Sequence, residues 1–148
     1  MGLRGRVRSV NISEKKGVIK MPIEVGIFKE DYGLVGDAHA GKGKRQVSLL
    51  AVESIEKMRQ IGVKGLCNGK FAENITTEEI QLHVLPVGTK LRIGETLQEV
   101  TQIGKECHNG CAIKQQIGQC IMPKEGIFTK VLKGGKIKEG DLIEVVEN

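Results

Sequence analysis

Glycine punctuates this chain more than any other residue. Twenty glycines are spread through 148 residues, close to twice the average usage of about 7%. They separate apolar runs only a few residues long. A chain cut this often favours short strands joined by tight turns over long helices. Leu3-Arg4-Gly5-Arg6-Val7-Arg8 alternates, which sets Arg4, Arg6 and Arg8 on the solvated face of an outer strand. Val18-Ile19-Lys20-Met21 reads as a second strand ending before Pro22, and Val25-Gly26-Ile27-Phe28 as its continuation. Lys90-Leu91-Arg92-Ile93, a turn at Gly94-Glu95, and Leu97 to Ile103 read as a hairpin. Gly126 to Leu132, a turn at Gly134-Gly135, and Leu142 to Val146 complete the strands.

Two helices are expected. Over residues 50–61, Ala51, Val52, Ile55 and Met58 share one face, Glu53 pairs with Lys57 on the other, and Gly62 ends the run. A second, shorter helix is expected over 111–117, stopped by Gly118. Thr76 with Glu79 three residues on has the form of a capping box and suggests one further helical turn. These are too few to separate the strands of a doubly wound sheet. The expected fold is therefore mainly β, a barrel of short strands with one or two helices, in a single domain spanning 1–148.

Composition narrows the function. Hydrophobic residues are 39% and charged residues 28%, which describes a folded chain. No apolar stretch approaches the roughly 18 residues of a membrane span, so no membrane partner is expected. Met1-Gly2-Leu3-Arg4 runs straight into a strand pattern without the apolar core of a signal peptide. The chain is expected in the cytoplasm, with Cys67, Cys107, Cys111 and Cys120 reduced. The charge balance of 23 − 18 gives +5, and the aromatics are three Phe and one Tyr. That is a modest positive charge with little for bases to stack on, so nucleic acid is not an expected partner.

The densest chemistry lies in Ile103-Gly104-Lys105-Glu106-Cys107-His108-Asn109-Gly110-Cys111, followed by Cys120. Lys105, His108 and the start of the expected helix all favour a thiolate at Cys107. A thiolate can attack a sulfur donor, hold a persulfide or bind a soft metal. Cys107, Cys111, Cys120 and His108 also make up a four-ligand zinc set. Their Cys-x3-Cys spacing is looser than paired Cys-x2-Cys knuckles, and a chain of this length needs no structural metal, so zinc ranks lower.

A second segment, Gly36 to Lys42, has the spacing G-x-x-x-x-G-K of a phosphate-binding loop. Gly43 stands where Ser or Thr should hold magnesium, so nucleotide hydrolysis is set aside. What remains is a glycine-rich basic loop with Asp37, His39, Lys42, Lys44 and Arg45. Its cations and N–H groups suit an anion such as phosphate. In a third segment, Asn74 is a candidate for fixing a turn or touching a ligand, and Glu73 reads as an exposed charge. His83, next to Val84-Leu85-Pro86, reads as structural.

Five blocks follow one another: Gly36-Asp37-x-His39, Arg45-Gln46-Val47-Ser48-Leu49-Leu50, Phe71-Ala72-Glu73-Asn74-Ile75-Thr76, Leu85-Pro86-Val87-Gly88-Thr89, and Val100-Thr101-Gln102-Ile103-Gly104-Lys105-x-Cys107. Together they resemble a stand-alone bacterial MOSC domain, the module named after the C-terminus of molybdenum cofactor sulfurase. The resemblance covers nearly the whole chain. It implies a MOSC-type β-barrel whose signature cysteine falls on Cys107, with Asp37, His39, Arg45 and Asn74 in the other signature blocks. It also implies a role in molybdenum cofactor metabolism. There, a pyridoxal-phosphate-dependent cysteine desulfurase would donate sulfur to Cys107, and the molybdenum cofactor (molybdopterin) or a molybdoenzyme would accept it. Alternatively Cys107 would ligate molybdenum, with His39, Lys42 and Arg45 facing the pterin phosphate and Asn74 shaping the pocket. Some relatives reduce N-hydroxylated compounds, so a molybdenum-dependent reductase-like module acting on such compounds is an alternative, as is a non-catalytic metal-binding interaction domain built on the Cys/His cluster. Larger relatives add an N-terminal β-barrel domain that helps to hold the pterin, and the resemblance covers only the smaller module. Cys111 and Cys120 are extra thiols that would resolve a persulfide, share a metal with His108, or pack.

Overall fold

The computed structural model describes residues 4–15, 19–60, 73–104 and 125–146. In chain order the strands are β1 (Arg4–Ile12), β2 (Met21–Ile23), β3 (Val25–Lys29), β4 (Gly33–Leu34), β5 (Val47–Ala51) and β6 (Ile75–Glu78). They continue as β7 (Lys90–Ile93), β8 (Thr96–Ile103), β9 (Ile127–Lys133), β10 (Gly135–Lys138) and β11 (Leu142–Val146). Seven of them close a barrel in the order β1-β11-β7-β8-β9-β5-β6 and back to β1. The seam is the antiparallel pairing of Arg4 with Glu144, Gly5 with Ile143 and Arg6 with Leu142. Strands β5 and β6 are the parallel pair, and helix α1 (Val52–Gln60) falls between them in the chain, as a parallel connection requires. A small second sheet, β10-β3-β4, stands beside the barrel.

Period-two patterning explains the closure. Along β1, Arg4, Arg6 and Arg8 are exposed while Val7 and Val10 are buried, the alternation the sequence predicts. Val10, Leu49, Ile75, Val100, Ile127 and Ile143 are wholly buried in one core. Each such side chain contributes about 1.5–3 kcal/mol relative to exposure. The β7–β8 hairpin forms as expected, with Ile93 paired to Thr96. Gly5 is needed in β1 because a Cβ there would lie 2.5 Å from the Glu78 carbonyl oxygen.

Several local expectations are corrected. The helix starts at Val52, because Leu50 and Ala51 finish β5. That strand is buried along its whole length, so it reads as an apolar run flowing into the helix. Thr76 lies in β6, and the helical turn forms further on, as a 3₁₀ turn at Leu82–Val84. Lys20 precedes the second strand instead of lying in it. β2 is a three-residue strand at the end of the barrel sheet, where Pro22 is tolerated. Strand β3 does not continue β2 but belongs to the second sheet. There it pairs with β10, a strand the sequence does not suggest. The helix expected over 111–117 lies outside the described residues. Among the described residues, no helix is long and apolar enough to cross a membrane.

Candidate functional site

The basic loop of residues 35–46 joins β4 to β5, and both its ends are pinned. At the near end, Asp37 N–H donates to the Leu34 carbonyl (3.1 Å) and Ala38 N–H to the Ser13 carbonyl (2.8 Å). At the far end, buried Gln46 accepts from Val131 N–H (2.9 Å) and donates to Asp31 (2.8 Å). Gly33 brings these ends together. Its φ is +114°, and a Cβ there would lie 2.5 Å from the Gln46 carbonyl oxygen, so no other residue fits. Between the pinned ends, Lys42, Gly43, Lys44 and Arg45 are exposed. Their backbone N–H groups meet no acceptor among the described residues.

Beneath this loop sits a buried ion pair. The Lys20 and Asp37 side chains are both 0% exposed, with Nζ 2.7 Å from Oδ1. Lys20 Nζ also lies 3.0 Å from Ser13 Oγ and 3.0 Å from His39 Nδ1. Asp37 accepts from Ser13 N–H at Oδ1 and from His39 N–H at Oδ2, both at 3.0 Å. A buried ammonium is tolerated only when paired and hydrogen-bonded in this way. Burial alone would raise the Asp37 carboxyl. Its contacts with His39, Lys20 and Ser13 outweigh that and hold it far below the usual carboxylate range. The His39 side chain is about a third exposed (31%), so among the described residues the cluster reaches solvent through this imidazole.

Arg45 lies against the outside of the barrel. Its Nε donates to Gln102 Oε1 (3.1 Å), and its guanidinium sits 5.4 Å from the centroid of the Phe128 ring, a cation–π contact. Thr101 Oγ1 bonds the Lys44 carbonyl. The far half of the loop is thus laid over β8 and β9. Just past Ile103 those strands are tied by Gly104 N–H to the Gly126 carbonyl (2.6 Å). Glu125 is anchored to α1 by Ser54 Oγ and by Lys57 Nζ (2.9 Å). Burial pushes its carboxyl up, but the Ser54 and Lys57 contacts prevail and the net shift is downward.

Asn74 belongs to a different cluster. It is wholly buried. Its Oδ1 accepts from Ser48 N–H (3.0 Å) and Ser48 Oγ (3.1 Å), and its Nδ2 donates to the Asn11 carbonyl (3.3 Å). Asn11 Nδ2 in turn donates to Thr76 Oγ1 (3.0 Å) and to the Glu73 carbonyl (3.1 Å). Glu73 is not an exposed charge. It is wholly buried, and its Oε2 accepts from Thr76 Oγ1 (2.7 Å). The network clamps the start of β6 to β1 and β5.

The structure therefore joins Asp37 and His39 in one cluster, sets Lys42 and Arg45 on the exposed loop above it, and puts Asn74 in a separate interior network. Cys107, His108, Cys111 and Cys120 lie outside the described residues. Among the described residues, no group of three or more His, Cys, Asp or Glu is placed to hold a metal. Sequence reasoning missed Lys20, Ser13, Asn11 and Ser48. The available signal was a polar residue inside an apolar run: Lys20 between Ile19 and Met21, and Asn11 between Val10 and Ile12.

Comparison with solved structures gives the same fold. The YuaD protein from Bacillus subtilis superposes with a TM-score of 0.76 at 18% identity, over 96% of this chain and 95% of that one. YiiM from Geobacillus stearothermophilus superposes with a TM-score of 0.76 at 20% identity, over 97% of this chain and 75% of its own. For YiiM from Escherichia coli the TM-score is 0.71 at 19% identity, over 98% and 70%. At these identities the likeness is one of fold. No curated protein sequence matches the chain. The model of the MOSC domain family, in contrast, matches residues 36–144, a stretch that takes in the basic loop from Gly36 on, Ser48 and Asn74, and the barrel from β5 into β11. The chain belongs to the MOSC domain family.

Proposed function

We propose that this protein is a thiol-dependent carrier in molybdenum cofactor metabolism, with Cys107 as its working thiolate. The observation that carries the reading is the exposed basic loop, laid over β8 and β9, the two strands that flank the Cys107 segment in sequence. In the carrier step, the Cys107 thiolate attacks the terminal sulfur of a persulfide on a cysteine desulfurase. The donor's S–S bond breaks, the donor leaves as a thiolate, and Cys107 becomes the persulfide. The donor set fits the charged end of a pterin phosphate: Lys42 and Arg45 are exposed cations, and the N–H groups of residues 42–45 have no described acceptor. The soft ligand would be Cys107. When bound, the molybdenum cofactor supplies a redox-active metal. The residues of this chain orient its phosphate and hold a thiolate near it. Asp37 and Asn74 act on the loop and strand ends and not on the ligand.

Intact mass after incubation with cysteine and a desulfurase tests this reading. A gain of one sulfur atom that survives Cys111→Ala and Cys120→Ala but vanishes in Cys107→Ala is expected. No added sulfur on any thiol would end the carrier reading. Molybdenum and pterin content of the protein as purified then separates a carrier from a stable cofactor holder.

A further inference from the structure

The proton inventory of the Lys20 cluster fixes something the sequence does not show. Ser13 Oγ donates its one proton to the Lys15 carbonyl (2.9 Å), so toward Lys20 it can only accept. Asp37 Oδ1, at 2.7 Å, is a carboxylate held ionised and also accepts. Ion-paired with that carboxylate, Lys20 is an ammonium, with three protons and no lone pair. In its contact with His39 Nδ1 at 3.0 Å, the imidazole nitrogen is then the acceptor. In a neutral imidazole with Nδ1 accepting, the proton sits on Nε2. The Asp37 carboxylate lies farther from Nδ1 than Lys20 does, at 3.8 Å.

We propose that Lys20 is a positioning residue that locks His39 as the Nε2–H tautomer, so that the loop presents an oxyanion with a directed N–H donor. Two consequences follow. His39 offers no free nitrogen lone pair, so it is neither a proton acceptor nor a zinc ligand while the Lys20 contact stands. It also joins Lys42 and Arg45 as a group that recognises acceptors, and its direction is set by a buried ion pair instead of a mobile side chain. The ligand class, a phosphate monoester, rests on the proposed function, whereas the lock does not.

The test is a long-range proton–nitrogen correlation spectrum of the full chain labelled with ¹⁵N-histidine at neutral pH, with His39 assigned by its loss in His39→Gln. One tautomer is expected, with Nδ1 unprotonated and Nε2 carrying hydrogen. An Nδ1–H pattern, or an imidazolium at neutral pH, overturns the lock. Lys20→Met is expected to release a mixture of tautomers, and Lys20→Arg to restore the single form. A folded Lys20→Met protein with an unchanged spectrum also overturns the lock. Should Lys20→Met fail to fold, the spectrum of the unaltered protein still decides. Phenyl phosphate is then titrated into the unaltered protein. A saturable shift of the His39 Nε2 signal supports the phosphate reading. No shift, with the tautomer as expected, overturns that reading and leaves the lock standing.

Discussion

The Lys20 cluster and the Asn74 network are both buried and are neighbours along β1, which gives Ser13, just past its end, to one and Asn11 to the other. They differ in what they leave open. Among the described residues the Asn74 side chain bonds Ser48 and Asn11, and so fixes strand ends. The Lys20 cluster is built around a full charge pair, and it ends in a histidine that reaches solvent. A neutral network can be closed off cheaply. A buried charge pair is costly to assemble and often gains nothing over apolar packing. Keeping one under an exposed loop is explained more simply by what it does to His39 than by stability.

That contrast can be broken in order of effect. Lys20→Met should cost the most, about 3–5 kcal/mol, because it strands a buried carboxylate. Urea unfolding measures it, and a loss under about 1 kcal/mol would mean that Asp37 gains its water back. Asn74→Ala should cost about 2–3 kcal/mol by orphaning the Ser48 N–H and the Asn11 carbonyl, with phosphate binding by the folded fraction unchanged. Weakened binding there would merge the two clusters into one site. Acid should separate them as well. The Asp37 carboxyl is depressed in the fold, so its contribution is present at neutral pH and is lost as pH falls below the ordinary value of 3.8. Stability curves against pH should therefore flatten on the acid side in Asp37→Asn and keep their slope in Asn74→Ala. Lys42→Ala should be the mildest, within about 0.5 kcal/mol in stability, yet it should weaken phosphate binding several-fold, and more so at low salt.

The barrel was legible because its strands alternate. Val7 and Val10 against Arg4, Arg6 and Arg8 carry the pattern on one strand, and the β7–β8 hairpin carries its own turn. The β5–α1 junction was not, because a strand buried on both faces and an amphipathic helix both read as apolar runs. Lys20 showed only as a polar residue in an apolar run, and its role was illegible for a different reason. Its burial depends on Asp37 and His39, which lie well along the chain, and no local pattern reports a partner that distant. Glu73 is another case: its partner Thr76 is only three residues on, but a glutamate beside an asparagine reads as surface until the fold buries both.

The seam of the barrel bears on how the protein is made. Arg4 to Arg6 pair with Leu142 to Glu144, so this stretch of β1 waits until residues 142–144 have left the ribosome. At about 5–20 residues per second, that wait is on the order of ten seconds. Until then the seam side of β1 offers unpaired N–H and C=O groups to any neighbouring nascent chain. The arginine stripe stands along that strand, and dense like charge on an open strand discourages edge-to-edge pairing. Arg4 later pairs with Glu144 and Arg8 with Glu78, so the groups that guard the unfinished barrel become rim ion pairs of the finished one.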